Sequence, residues 1–79
     1  MCRISVTWED QLGPKSQVGM LEDRSLSGAG LSVDNPIPVG AKVKIKGGRL
    51  DLSGTVRYCR HKYPKYLVGI LYDGAGKAQ

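Results

Sequence analysis

Apolar and polar positions alternate with a period of two along most of the chain. From Arg3 to Glu9, Ile4, Val6 and Trp8 alternate with Arg3, Ser5, Thr7 and Glu9, the pattern of a strand buried on one face. Leu12-Gly13-Pro14-Lys15-Ser16 carries turn chemistry, so a second strand over approximately Gln17 to Glu22 is expected to return antiparallel to the first. A bend over Asp23 to Gly28 leads into Gly30 to Val33, which is short and apolar on alternate positions. Asp34 to Gly40 contains Pro36 and Pro38 and reads as a loop, because two prolines cannot both sit in a ladder. In the next strand Ala41, Val43 and Ile45 share one face and Lys42, Lys44 and Lys46 the other, and Gly47-Gly48 ends it in a tight turn.

Leu50 to Arg60 is the longest extended run, with Leu50, Leu52, Val56 and Tyr58 on one side and Asp51, Ser53, Thr55, Arg57 and Cys59 on the other. Gly54 within it predicts a bulge or bend that lets a small sheet curl. His61 to Lys65 reads as a basic turn, and Tyr66 to Tyr72 as a last strand with Tyr66, Val68, Ile70 and Tyr72 in phase. Leu67 and Leu71 fall on its opposite face, so cover on both sides is expected there. Gly74 to Gln79 has no apolar anchor and is expected to be a flexible tail.

Eleven glycines and four prolines interrupt every window long enough for three helical turns. Six short strands joined by turns instead predict an all-β fold, a six-stranded antiparallel barrel whose closure removes exposed edges. Seventy-nine residues allow one domain, taken as residues 1–73. A domain this small buries only about 60% of its unfolded-chain surface, leaving little room for a deep active site.

The net charge of +5 is unevenly placed: Met1 to Val39 hold three basic and five acidic residues, Gly40 to Gln79 nine basic and two acidic. The positive field of the second half favours an anionic partner, or else it is a solvated strand face. Cys2 and Cys59 match neither a metal knuckle nor a redox pair. Their spacing is compatible with a disulfide, but without a secretion signal free thiols are expected, one of them a small core residue. No stretch approaches the roughly 20 apolar residues that cross a bilayer, and the chain reads as soluble and cytoplasmic.

No catalytic constellation is legible. The sole histidine, His61, sits between Arg60 and Lys62 without a carboxylate partner in sequence, and reads as an exposed loop residue. No Walker-type or dinucleotide glycine pattern is present, and Glu9-Asp10, Glu22-Asp23 and single carboxylates argue weakly for acid–base chemistry or a metal. A non-enzymatic binding module without cofactor is therefore expected. The informative segment is Glu22 to Gly30, which sets a carboxylate, hydroxyls and glycines between two apolar strands. Asp23 and Ser25 offer acceptors to a ligand or to nearby backbone N–H groups, and Gly28 permits positive φ or close backbone approach. The same residues also suit an Asx or Ser turn that merely joins two strands.

At these residues the chain resembles the PilZ family, whose signature of an acidic or amide residue, any residue, Ser, any two residues and Gly is matched by Asp23, Ser25 and Gly28. The likeness extends over Gly30-Leu31-Ser32-Val33, the loop ending in Val39-Gly40, Gly54-Thr55-Val56-Arg57-Tyr58 and Tyr66 to Tyr72 with its central Val68-Gly69. The resemblance implies a six-stranded barrel and, as candidate ligand, the bacterial second messenger cyclic di-GMP, with Asp23 and Ser25 holding a guanine. The family's upstream Arg-x-x-x-Arg motif, which contacts phosphates and guanine, is incomplete: Arg3 is the only arginine before Asp23 and stands at most for the second of the pair. Arg3 is equally readable as an exposed residue of the first strand.

Two functions are compatible with these features. In one, Asp23 and Ser25 grip guanine, Gly28 allows close approach, Arg3 or an arginine outside this chain clamps a phosphate, and the signal passes to a protein partner or fused effector. In the other, the domain contacts protein without the dinucleotide, or binds single-stranded nucleic acid through Lys42, Lys44, Lys46, Arg57, Arg60 and Lys62 with Tyr58, Tyr63 and Tyr66 as stacking platforms. Tyr66, Tyr72 and Trp8 are also in phase with core residues, the role expected of them here.

Overall fold

The computed structural model describes residues 2–74. Six strands, β1 (Cys2–Asp10), β2 (Gly13–Arg24), β3 (Gly28–Val33), β4 (Lys42–Gly47), β5 (Leu50–Lys62) and β6 (Lys65–Tyr72), close into an antiparallel barrel in the order β1-β2-β3-β6-β5-β4. The expected all-β, six-stranded barrel is thus the observed architecture. No helix of the described residues is long and apolar enough to cross a membrane. Of the expected tail, residues 75–79 lie outside the described residues.

Several strands run further than their apolar pattern suggested. β2 begins at Gly13 and ends at Arg24, because the first reversal needs only Gln11-Leu12, where the Leu12 N–H donates to Asp10 Oδ1 at 2.7 Å. Pro14 then sits near the start of a strand, opposite Glu9. The β5–β6 hairpin is likewise tighter than a five-residue turn: His61 and Lys62 pair with Tyr66 and Lys65, leaving Tyr63-Pro64 as the reversal. Polar residues at strand ends carry no burial pattern, but their backbone groups still complete the ladder.

The interior is filled by Ile4 and Val6 of β1, Leu21 of β2, Ala29, Leu31 and Val33 of β3, Val43 and Ile45 of β4, Val56 of β5, and Val68 and Ile70 of β6. These are the inward halves of the alternations. Barrels of about eight strands have interiors just wide enough for side chains, so a six-stranded one has none to spare, and a ligand must bind outside or at an end. Trp8, Cys59, Tyr66 and Tyr72 pack against this core, as expected of them, and both cysteines are free.

Ile37 is a core residue that periodicity could not reveal. In the barrel order β3 and β4 stand three places apart in a ring of six, on opposite sides. The Asp34–Ala41 connection must therefore cross an open end, and it carries Ile37 inward to 1% exposure between Pro36 and Pro38. Gln17 anchors the start of the crossing: its Nε2 donates to the Asn35 carbonyl at 2.9 Å and its Oε1 accepts from the Asn35 N–H at 3.2 Å.

Gly54 does not form the expected bulge. It stays in register with Val43 and Tyr72, and its missing Cβ would stand 2.3 Å from the Leu71 carbonyl oxygen. Close strand approach is the reason for glycine there. The irregularity of β5 lies two residues on, between Val56 and Tyr58.

Candidate functional site

Two bulges build the site. On β2, Leu21 pairs with Leu31 and Asp23 with Gly30, so Glu22 is an extra residue. On β5, Val56 pairs with Ile70 and Tyr58 with Gly69, so Arg57 is extra. An inserted residue breaks strict alternation and re-aims the side chains after it. Glu22 and Asp23 are consequently both exposed, as are Arg57 and Tyr58. The sequence pattern had put Tyr58 on the face of Leu50, Leu52 and Val56; beyond the bulge Tyr58 instead faces outward and Cys59 turns toward the core.

The bulged strands flank the β3–β6 pair, in which Gly30 faces Gly69. One row across four strands therefore reads Asp23, Gly30, Gly69, Tyr58. At the ordinary strand spacing about 14 Å of sheet separates its ends. Both end side chains lean over the glycines. Asp23 Oδ1 lies 3.0 Å from where a Gly30 Cβ would be, and the Tyr58 ring occupies the place of a Gly69 Cβ, 2.2 Å from it at Cε2. The Arg60 guanidinium lies over the Tyr58 ring, 4.7 Å from its centroid.

Ser25 shapes the adjoining turn. Its backbone N–H donates to the Gly28 carbonyl at 2.8 Å, and its hydroxyl accepts from the Ser27 and Gly28 N–H groups, each at 3.3 Å. The Ser-turn reading of Ser25 is therefore realised. Gly28 does not use positive φ; its missing Cβ would collide with the Ile70 carbonyl oxygen, so close backbone approach accounts for it. Leu26, at the tip, is fully exposed.

Asp23, Ser25 and Gly28 converge on a groove of about 180 Å³ on the outer surface, with Arg57, Tyr58 and Gly69 completing its rim and floor. Arg3 does not line it. Arg3 lies on β1 opposite Met20, across β2 from the groove. Arg57, Tyr58 and Gly69 were not singled out with Asp23 in sequence, because nothing in the alternation shows where β5 slips register. The available signal was the pair of strand glycines, Gly30 and Gly69, each a place where another group approaches backbone closely.

A roomier groove of about 620 Å³ lies by Trp8, Pro14, Ala41, Lys42 and Lys44. Size alone does not favour it, because the predicted motif and the re-aimed side chains meet in the smaller one. The basic residues are divided as well. Lys42, Lys44 and Lys46 of β4 face Thr55, Ser53 and Asp51 on the first half of β5, and Lys42 pairs with Asp73 at 3.3 Å, whereas Arg57 and Arg60 lie on the half of β5 that pairs with β6. His61 is exposed and stacked on Tyr66, with ring centroids 4.8 Å apart.

Comparisons with protein-family models, curated proteins and solved structures return no match. The class defined by the fold is a closed six-stranded antiparallel barrel with an external groove.

Proposed function

We propose that this chain is a PilZ-like, non-enzymatic cytoplasmic module that binds cyclic di-GMP through the Asp23–Tyr58 groove and relays occupancy to a partner. The observation that carries the reading is the convergence of Asp23, Ser25 and Gly28 on a glycine-floored groove. A carboxylate suits the Watson–Crick edge of guanine, where a ring N–H and an exocyclic amine donate side by side. Glycines at Gly30 and Gly69 let a flat base approach the sheet, and Tyr58 offers an aromatic flank. In this reading Ser25 acts chiefly through the turn, holding the segment after Asp23 in shape.

At about 180 Å³ the groove is smaller than the roughly 300–1,000 Å³ of pockets that enclose a whole small molecule. It is sized for one base, with phosphates left on the surrounding surface. Division of the lysines from the arginines and packing of Tyr66 into the core disfavour a continuous nucleic-acid track. The fully exposed Leu26, one residue beyond Ser25, is where a partner would sense the loop.

Titration with cyclic di-GMP, followed by amide chemical shifts, is expected to move Asp23 to Gly28, Gly30 and Gly69 together. Unperturbed resonances at millimolar ligand overturn the assignment. Uniform, salt-sensitive shifts along β4 with an arbitrary oligonucleotide would favour nucleic acid instead.

A further inference from the structure

We propose that Arg57 and Arg60 of β5 form a phosphate clamp for this groove. The proposal rests on the guanine reading above and assigns the opposite side of the same site.

Its first support is position. Arg57 is the inserted residue of the β5 bulge, exposed, and part of the groove wall. Arg60 follows on the same outward side, with its guanidinium over the Tyr58 ring. A guanidinium over an aromatic face is held there by the ring, while its N–H groups stay free to pair bidentately with phosphate oxygens.

Charge is the second support. Both ion pairs among the described residues use lysines, Lys42 with Asp73 and Lys65 with Asp34, so neither guanidinium is neutralised by a salt bridge there. Asp23 likewise forms no salt bridge with either of them. The groove thus has the Asp23 carboxylate and Arg57 on its wall with a glycine floor between their strands, and Arg60 stands outside the lining, over the Tyr58 ring that does line it. A ligand complementary to it carries a hydrogen-bond-donating edge, a planar middle and an anionic end, the sequence of groups in a guanine nucleotide. Arg3 stands on β1, across β2 from the groove, and, unlike Arg60, is not placed over a ring that lines it.

The test is calorimetric titration of cyclic di-GMP into the wild-type chain and into Arg57→Ala, Arg60→Ala, Arg57→Lys, Asp23→Asn and Arg3→Ala, at low and at physiological salt. Both arginines are exposed, so amide spectra of the free variants should stay close to wild type outside β5. Removing a hydrogen bond to a charged group predicts roughly ten- to a hundredfold weaker binding for Arg57→Ala and for Arg60→Ala. Both should also lose part of the wild-type salt dependence. Arg57→Lys should fall between them and wild type, and Arg3→Ala should stay within about twofold. If the wild-type chain binds and Arg57→Ala and Arg60→Ala bind equally well, the clamp is overturned while the guanine reading stands, and weakening by Arg3→Ala would then locate the phosphate on β1. If the wild-type chain does not bind, the ligand assignment fails and the clamp with it.

Discussion

Replacing Gly54 by alanine adds one methyl group at a tight place in the β5–β6 ladder. The new Cβ would stand 2.3 Å from the Leu71 carbonyl oxygen, 2.8 Å from Ile70 Cγ2 and 2.9 Å from the Leu71 carbonyl carbon. Two of these atoms are backbone of the partner strand, so relief requires β6 to move by about 1 Å to reach ordinary contact, which begins at 3.4 Å. β3 holds the other edge of β6 over six residue pairs, and the shift would spread through a close-packed core. Overpacking of this kind costs about 1–3 kcal/mol, and three contacts under 3.0 Å place it near the upper end. Alanine's lower chain entropy in the unfolded state offsets about 0.4–1 kcal/mol. The net loss is about 2 kcal/mol, out of a total stability of roughly 4–12 kcal/mol for a chain of this length.

Gly69→Ala is the matched control. It lies on the neighbouring strand, but there the obstruction is the Tyr58 ring, which is 38% exposed and free to swing outward. Its stability change should stay within about 1 kcal/mol, because the lost ring packing is opposed by the same entropy gain. Trp8, the only tryptophan, packs partly against the core, so its fluorescence reports unfolding in urea. Gly54→Ala should lower the midpoint with the slope unchanged, and lower the melting temperature by about 8–16 °C. A Gly54→Ala midpoint at or above wild type, or equal losses at both glycines, would refute the distinction between backbone and side-chain obstruction.

Two further perturbations probe the packing of the crossing loop. Ile37→Ala should destabilise by about 2–5 kcal/mol despite its place between two prolines, because its side chain is as buried as those of the strands; a loss under about 1 kcal/mol in urea would show that the loop does not close the barrel. Lys65→Ala breaks the 2.6 Å pair with Asp34, whose partners are 50% and 67% exposed. Its cost should be under about 1 kcal/mol and should shrink in high salt, measured by the same denaturation at two ionic strengths.

The barrel was legible in the sequence because half-burial imposes a period of two, and Ile4, Val6, Val43, Ile45, Val68 and Ile70 keep that period without interruption. The turn segment was legible too, since Asp23, Ser25 and Gly28 carry specific local chemistry that Ser25 and Gly28 do use in folding the turn. Ile37 was hidden for a topological reason. Only the ring order, with β3 and β4 on opposite sides, forces the loop across the core.

The partnership of Asp23 with Arg57 and Tyr58 was decided by tertiary structure alone. Those residues are more than thirty positions apart in sequence, and they meet because β3 pairs with β6 and because each flanking strand slips by one residue at its bulge. Alternation records which residues a strand would bury if it ran in uninterrupted register. Where the register slips depends on the strand beside it, so the composition of the groove became readable only once the sheet was closed.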